Sequence, residues 1–161
     1  RNPGAAFIPT GGGSAFVGAR RGFGATGAAL PKLIAAQPAA CAPIVAAFRD
    51  GAPMATTPGA TIAEGTRIGV PSRPQQIRGA LRESGGWAEA VDEEQIVAAL
   101  RELWGQGLYV EPTAAVGAAA CRAAIARGER GDGLRPGDFA ELRRYLVAHA
   151  GTSACARSPS M

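Results

Sequence analysis

Lysine and histidine are almost missing from this chain: Lys32 and His149 are their only representatives among 161 residues. A single histidine with no partner of metal-ligand or triad type near it in sequence is read as a solvated helix position. The three cysteines, Cys41, Cys121 and Cys155, lie far apart without C-x-x-C spacing, which argues against a zinc site or a disulfide framework. Reduced thiols in a cytoplasmic protein are the expectation, with Cys121 a small buried apolar residue in a helical run of alanines. Aromatics are only 6% of the residues, and the net charge of +4 comes from 17 basic and 13 acidic residues scattered along the chain. With no basic cluster interleaved with aromatics, no nucleic-acid partner is expected. An apolar run near 18 residues is also lacking, and mean hydropathy is +0.03, so no membrane span is expected. No stretch has the pattern of a signal peptide. The chain opens on Arg1-Asn2-Pro3 rather than Met, and an apolar strand follows at once, so part of a longer protein is expected.

Glycine, in contrast, is abundant, with 23 residues, and its densest use is Phe7-Ile8-Pro9-Thr10-Gly11-Gly12-Gly13-Ser14-Ala15-Phe16-Val17-Gly18. Three consecutive glycines allow positive φ and close approach of a ligand to the backbone. Ser14 then falls in the first turn of the next helix, where unpaired N–H groups and the positive end of the dipole favour an anion. Neither the Lys-Ser/Thr of a P-loop nor G-x-G-x-x-G is present. Taken alone, the run is equally compatible with a tight turn or hinge that holds no ligand.

Along the chain, 5–10 reads as a strand and 14–26 as a helix with Phe16, Val17 and Phe23 on one side. Residues 33–37 suit a buried strand, and 42–48 a short helix with Pro43 in its first turn. A Gly/Pro/Thr-rich loop at 51–59, a helical turn at 61–65 and irregular chain to Pro74 follow. Residues 75–84 form a helix with Ile77, Ala80 and Leu81 inward, stopped by Gly85-Gly86, and 87–91 alternates like a strand. Asp92 and Gln95 make a capping box for a helix whose stripe is Ile96, Val97, Leu100, Leu103 and Trp104. Leu108-Tyr109-Val110 reads as a short strand, and Glu111-Pro112-Thr113 opens a helix of small residues to about Arg127. Strands alternating with helices give an α/β fold, a three-layer αβα arrangement with a mostly parallel sheet. In such sheets ligands gather at the carboxyl ends of strands, so the glycine turn and Glu111-Pro112-Thr113 are expected to face one pocket.

Several separated segments together resemble the pyridoxal-phosphate enzymes of the tryptophan synthase β-like fold (fold type II), and within it threonine synthase and its near relatives. The runs are P-T-G-G-G-S-A-F-V-G (9–18), C-A-P-I-V-A-A-F (41–48), T-I-A-E-G-T-R-I-G (61–69), S-G-G (84–86), V-D-E-E (91–94) and E-P-T-A-A (111–115). Their order and spacing over 5–128 are far more specific than any single motif. The resemblance implies that Gly11, Gly12, Gly13, Ser14 and Ala15 cradle the phosphate of pyridoxal 5'-phosphate. It also implies that Glu64-Gly65 approaches cofactor or substrate and that Glu111 lines the pocket near the pyridine ring. An acid favoured by a helix N-terminus is the equal alternative for Glu111.

The family's Schiff-base lysine precedes the glycine loop, and Lys32, in a Leu-Pro-Lys-Leu connection, does not match it, so no catalytic residue is assigned and the chain alone is expected to be inactive. After Asp138 the family pattern is lost. Residues 1–138 are therefore expected to be an incomplete cofactor-binding α/β domain, and 139–161 a divergent helix with a disordered tail in which Thr152 and Ser153 are at most remnants of the usual turn. The implied activity is β- or γ-replacement or elimination on an amino acid such as O-phosphohomoserine. A serine or threonine dehydratase or racemase, or a non-catalytic binding module, are the alternatives. A homodimer is implied by the resemblance only.

Overall fold

The computed structural model describes residues 3–27 and 29–128. The expectations for 139–161, Thr152, Ser153, His149 and Cys155 lie outside the described residues. The centre of the molecule is strand β2 (Lys32–Pro38), flanked by β1 (Ala5–Pro9) and β3 (Ala88–Val91) in a parallel sheet of order β1-β2-β3. Phe7 pairs with Ile34, and Gln37 with Ala90. From Leu33 onward β2 is buried, as a strand covered on both faces must be, and its apolar run reflects that.

Alternation along β2 divides two cores. Ile34 and Ala36 join Phe7 and Val91 beneath α4 (Glu93–Gly105) and α5 (Pro112–Ala126). Leu33 and Ala35 face Phe16 and Val17 of α1 (Ser14–Ala25), Ile44 of α2 (Pro43–Asp50), and Ile77, Ala80 and Leu81 of α3 (Pro74–Ser84). The result is the three-layer αβα arrangement read from the sequence, with every strand pair among the described residues parallel.

Two local expectations are met in atomic detail. Asp92 accepts from the Gln95 amide at 2.8 Å while Gln95 Oε1 accepts from the Asp92 amide at 2.9 Å, a reciprocal capping box. The small residues of α5 let it lie directly on β1: a Cβ on Gly117 would stand 2.9 Å from the Phe7 carbonyl oxygen. Ala115 to Cys121 and Ala124 are all buried there.

Two others are corrected. Leu108-Tyr109-Val110 is not a strand; no partner strand runs beside it among the described residues, and the Val110 carbonyl is taken by Trp104 Nε1 at 3.0 Å. Trp104 is not in the core either. It is 42% exposed and stacks on Tyr109 with ring centroids 5.3 Å apart, while Ala99 takes a buried place on that face.

Candidate functional site

The glycine turn begins where β1 stops. Thr10 still belongs to the ladder through its amide, which donates to the Ala36 carbonyl at 2.9 Å, and its hydroxyl donates back to the Ile8 carbonyl at 2.7 Å. Gly13 then caps α1 with φ of 95°, a left-handed conformation that side-chain-bearing residues rarely adopt. A Cβ there would also strike Ile77 Cδ1.

From Gly11 to Ala15, no N–H group donates to a main-chain or side-chain acceptor among the described residues. Gly11 and Gly13 are buried and Ser14 and Ala15 exposed. Buried N–H groups without acceptors are rare in folded proteins. Here the N–H groups of Gly11 to Ala15 lie at the start of a 12-residue helix, whose dipole favours negative charge. The Ser14 hydroxyl is a further donor at the same place. A phosphate dianion fits this donor set, and a group needing acceptors or metal-type ligands does not.

Two other segments close on the turn. Glu64–Thr66 forms a 3₁₀ turn, and a Cβ added to Gly11 would lie 3.1 Å from the Gly65 carbonyl oxygen and 3.1 Å from Thr66 Cα. The Gly65 amide in turn donates to Thr113 Oγ1 at 3.2 Å. The Glu111-Pro112-Thr113 corner therefore reaches the glycine turn through Gly65, although Val110 before it is not a strand end. Glu111 is exposed, occupies the N-cap of α5 and makes no capping bond with its side chain.

Two contributors, Gln37 and Ser72, were not singled out by the sequence reading. Gln37, wholly buried at the end of β2, donates from Nε2 to the Thr10 carbonyl at 2.9 Å and accepts from the Ile44 amide at 2.9 Å. Ser72 Oγ donates to the Gly12 carbonyl at 3.1 Å. Thr113, already part of the E-P-T run, anchors Gly65. The signal for Gln37 was its position, a lone amide side chain at the end of an apolar strand; nothing comparable marked Ser72.

Lys32 is remote. It pairs with Ala5 at the start of the ladder, whereas the turn departs after Pro9, paired with Ala36. Four residues of parallel strand separate them, about 13 Å, so the chain's one lysine stands at the opposite end of the sheet.

The sequence model of the family described as pyridoxal-phosphate dependent enzyme matches residues 1–135. A threonine synthase of Methanosarcina acetivorans is 41% identical over 103 residues, which are 62% of this chain and 25% of that protein. A threonine synthase of Methanocaldococcus jannaschii is 37% identical over 102 residues, 62% of this chain and 25% of its own length. The chain thus spans about a quarter of the length of the relatives it matches. Among solved structures, a threonine deaminase of the organism abbreviated T.th. superposes with a TM-score of 0.65 at 27% identity, over 82% of this chain and 47% of that one.

Proposed function

We propose that this chain, which belongs to the family of pyridoxal-phosphate-dependent enzymes, supplies the cofactor-phosphate portion of a threonine synthase-like enzyme acting on an amino acid such as O-phosphohomoserine. The observation that carries the reading is the set of N–H groups from Gly11 to Ala15, at the start of α1, that have no acceptor among the described residues. Gly11, Gly12, Gly13, Ser14 and Ala15 hold the phosphate through main-chain amides and the Ser14 hydroxyl, and the helix dipole neutralises part of its charge. Gly65 and Glu111 stand on the elements packed against that turn and line the approach to the pyridine ring. When bound, pyridoxal phosphate draws electrons from the α-carbon of an amino-acid substrate, which is what replacement and elimination reactions require.

The chain's own residues bind and orient; proton transfer by a lysine belongs to residues outside this site, since Lys32 lies at the far end of the sheet. Residues 1–138 form the cofactor-binding portion in this reading. The identities of 41% and 37% to threonine synthases favour β/γ-replacement, in which phosphate leaves the γ-carbon and the hydroxyl of water is added at the β-carbon. The likeness to a threonine deaminase at 27% identity supports a second reading, dehydration of serine or threonine on the same cradle. The protein that contains this chain, assayed on O-phosphohomoserine, is expected to release phosphate and form threonine. Turnover of threonine to a keto acid and ammonia, with no reaction on O-phosphohomoserine, overturns the first reading in favour of the second.

A further inference from the structure

We infer that Gln37 and Ser72 are positioning residues that lock the two peptides of the glycine turn and thereby aim the Gly11 and Gly13 N–H groups at the phosphate. In a trans peptide the carbonyl of one residue and the N–H of the next point in opposite directions. Gln37 Nε2 holds the Thr10 carbonyl at 2.9 Å, so the Gly11 N–H is turned away from Gln37. Ser72 Oγ holds the Gly12 carbonyl at 3.1 Å, so the Gly13 N–H is turned away from Ser72.

Both anchors are themselves fixed. The Gln37 amide has its oxygen committed to the Ile44 N–H at 2.9 Å and, at 3.4 Å, the Val45 N–H. Flipping the group would set its oxygen against the Thr10 carbonyl and its NH2 against those two amides, like facing like at every contact. Gln37 is wholly buried, where each lost partner is costly. Ser72 sits between Pro71, buried, and Arg73-Pro74 at the entry to α3, a stretch whose φ angles are fixed twice by proline rings. Without these two donors, three glycines would sample many peptide orientations, and an anion would have to order them on binding.

The inference rests on the cofactor-phosphate reading above, and one titration separates the two. Amide resonances of the full 161-residue chain are followed as inorganic phosphate is added. Wild type is expected to respond at Gly11 to Ala15. Ser72→Ala, at an exposed position, should fold and weaken phosphate binding about fivefold with the largest lost response at Gly13, and Ser72→Thr should restore it to within about twofold. Gln37→Met is read the same way at Gly11, and if that variant does not fold, the Ser72 arms decide. A wild-type response that Ser72→Ala leaves unchanged in affinity and at Gly13 overturns the positioning role alone. No response of wild type at Gly11 to Ala15 overturns the phosphate site, and the positioning role with it.

Discussion

Gly65 and Thr113, 48 residues apart in sequence, are joined by a hydrogen bond of 3.2 Å from the Gly65 amide to Thr113 Oγ1. A Cβ on Gly65 would stand 2.9 Å from that oxygen and 3.1 Å from Thr113 Cγ2. The first turn of α5 and the Glu64–Thr66 turn thus meet only because one of the two has no side chain, and Gly65 passes the contact on to Gly11.

Gly65→Ala is accordingly expected to destabilise the fold by about 1–3 kcal/mol through overpacking. Thr113→Ala alone should cost about 1 kcal/mol, the loss of one acceptor. The double variant should recover part of the first loss, with a coupling of about 1 kcal/mol in urea unfolding. Strict additivity would show that the two side chains do not meet.

Gly13→Ala combines a left-handed φ of 95° with a collision at Ile77 Cδ1. About 1–3 kcal/mol of stability should be lost. Ile77→Val cannot relieve the backbone part. Equal melting temperatures for Gly13→Ala and wild type would contradict the turn as described.

The α4 face separates what periodicity does and does not reveal. Leu103 is buried and Trp104 is 42% exposed beside Tyr109, itself 86% exposed. Leu103→Ala should cost about 2–5 kcal/mol, whereas Tyr109→Ala should cost less than about 1 kcal/mol. The reverse order would restore Trp104 and Tyr109 to the core.

Burial raises the Cys41 thiol above its ordinary value of 9.0, against a smaller lowering by the Arg67 charge. The folded state then keeps its proton where the unfolded chain loses it, so the stabilisation is complete below the ordinary value and is lost as pH rises from there through the raised folded one. Unfolding free energy should fall as pH rises above about 9, and the fall should be shallower in Cys41→Ala. An equal slope in both would place the alkaline loss elsewhere.

Much of this fold was legible because local rules and tertiary packing agree. The capping box at Asp92 and Gln95, the inward set Ile77, Ala80 and Leu81, and the small-residue face of α5 each follow from spacing, and each is buried or bonded as spacing requires. Leu108-Tyr109-Val110 misled because three apolar residues in a row suit a strand without supplying a neighbour to pair with. Trp104 misled because the helical stripe marks a direction and not a depth, and its indole N–H found the Val110 carbonyl at the surface. At the site, the glycine run and E-P-T were visible as motifs. Gln37 and Ser72 were not, because their role is to hold carbonyls 27 and 60 residues distant in sequence, and no spacing encodes that.

The central claim is that the N–H groups of Gly11 to Ala15 receive the phosphate of pyridoxal phosphate. A crystal structure of the complete protein with the cofactor bound tests it most directly. The phosphate oxygens are expected within about 3 Å of those amides and of Ser14 Oγ. A phosphate seated elsewhere, with the same amides bonded to protein carbonyls, would contradict it.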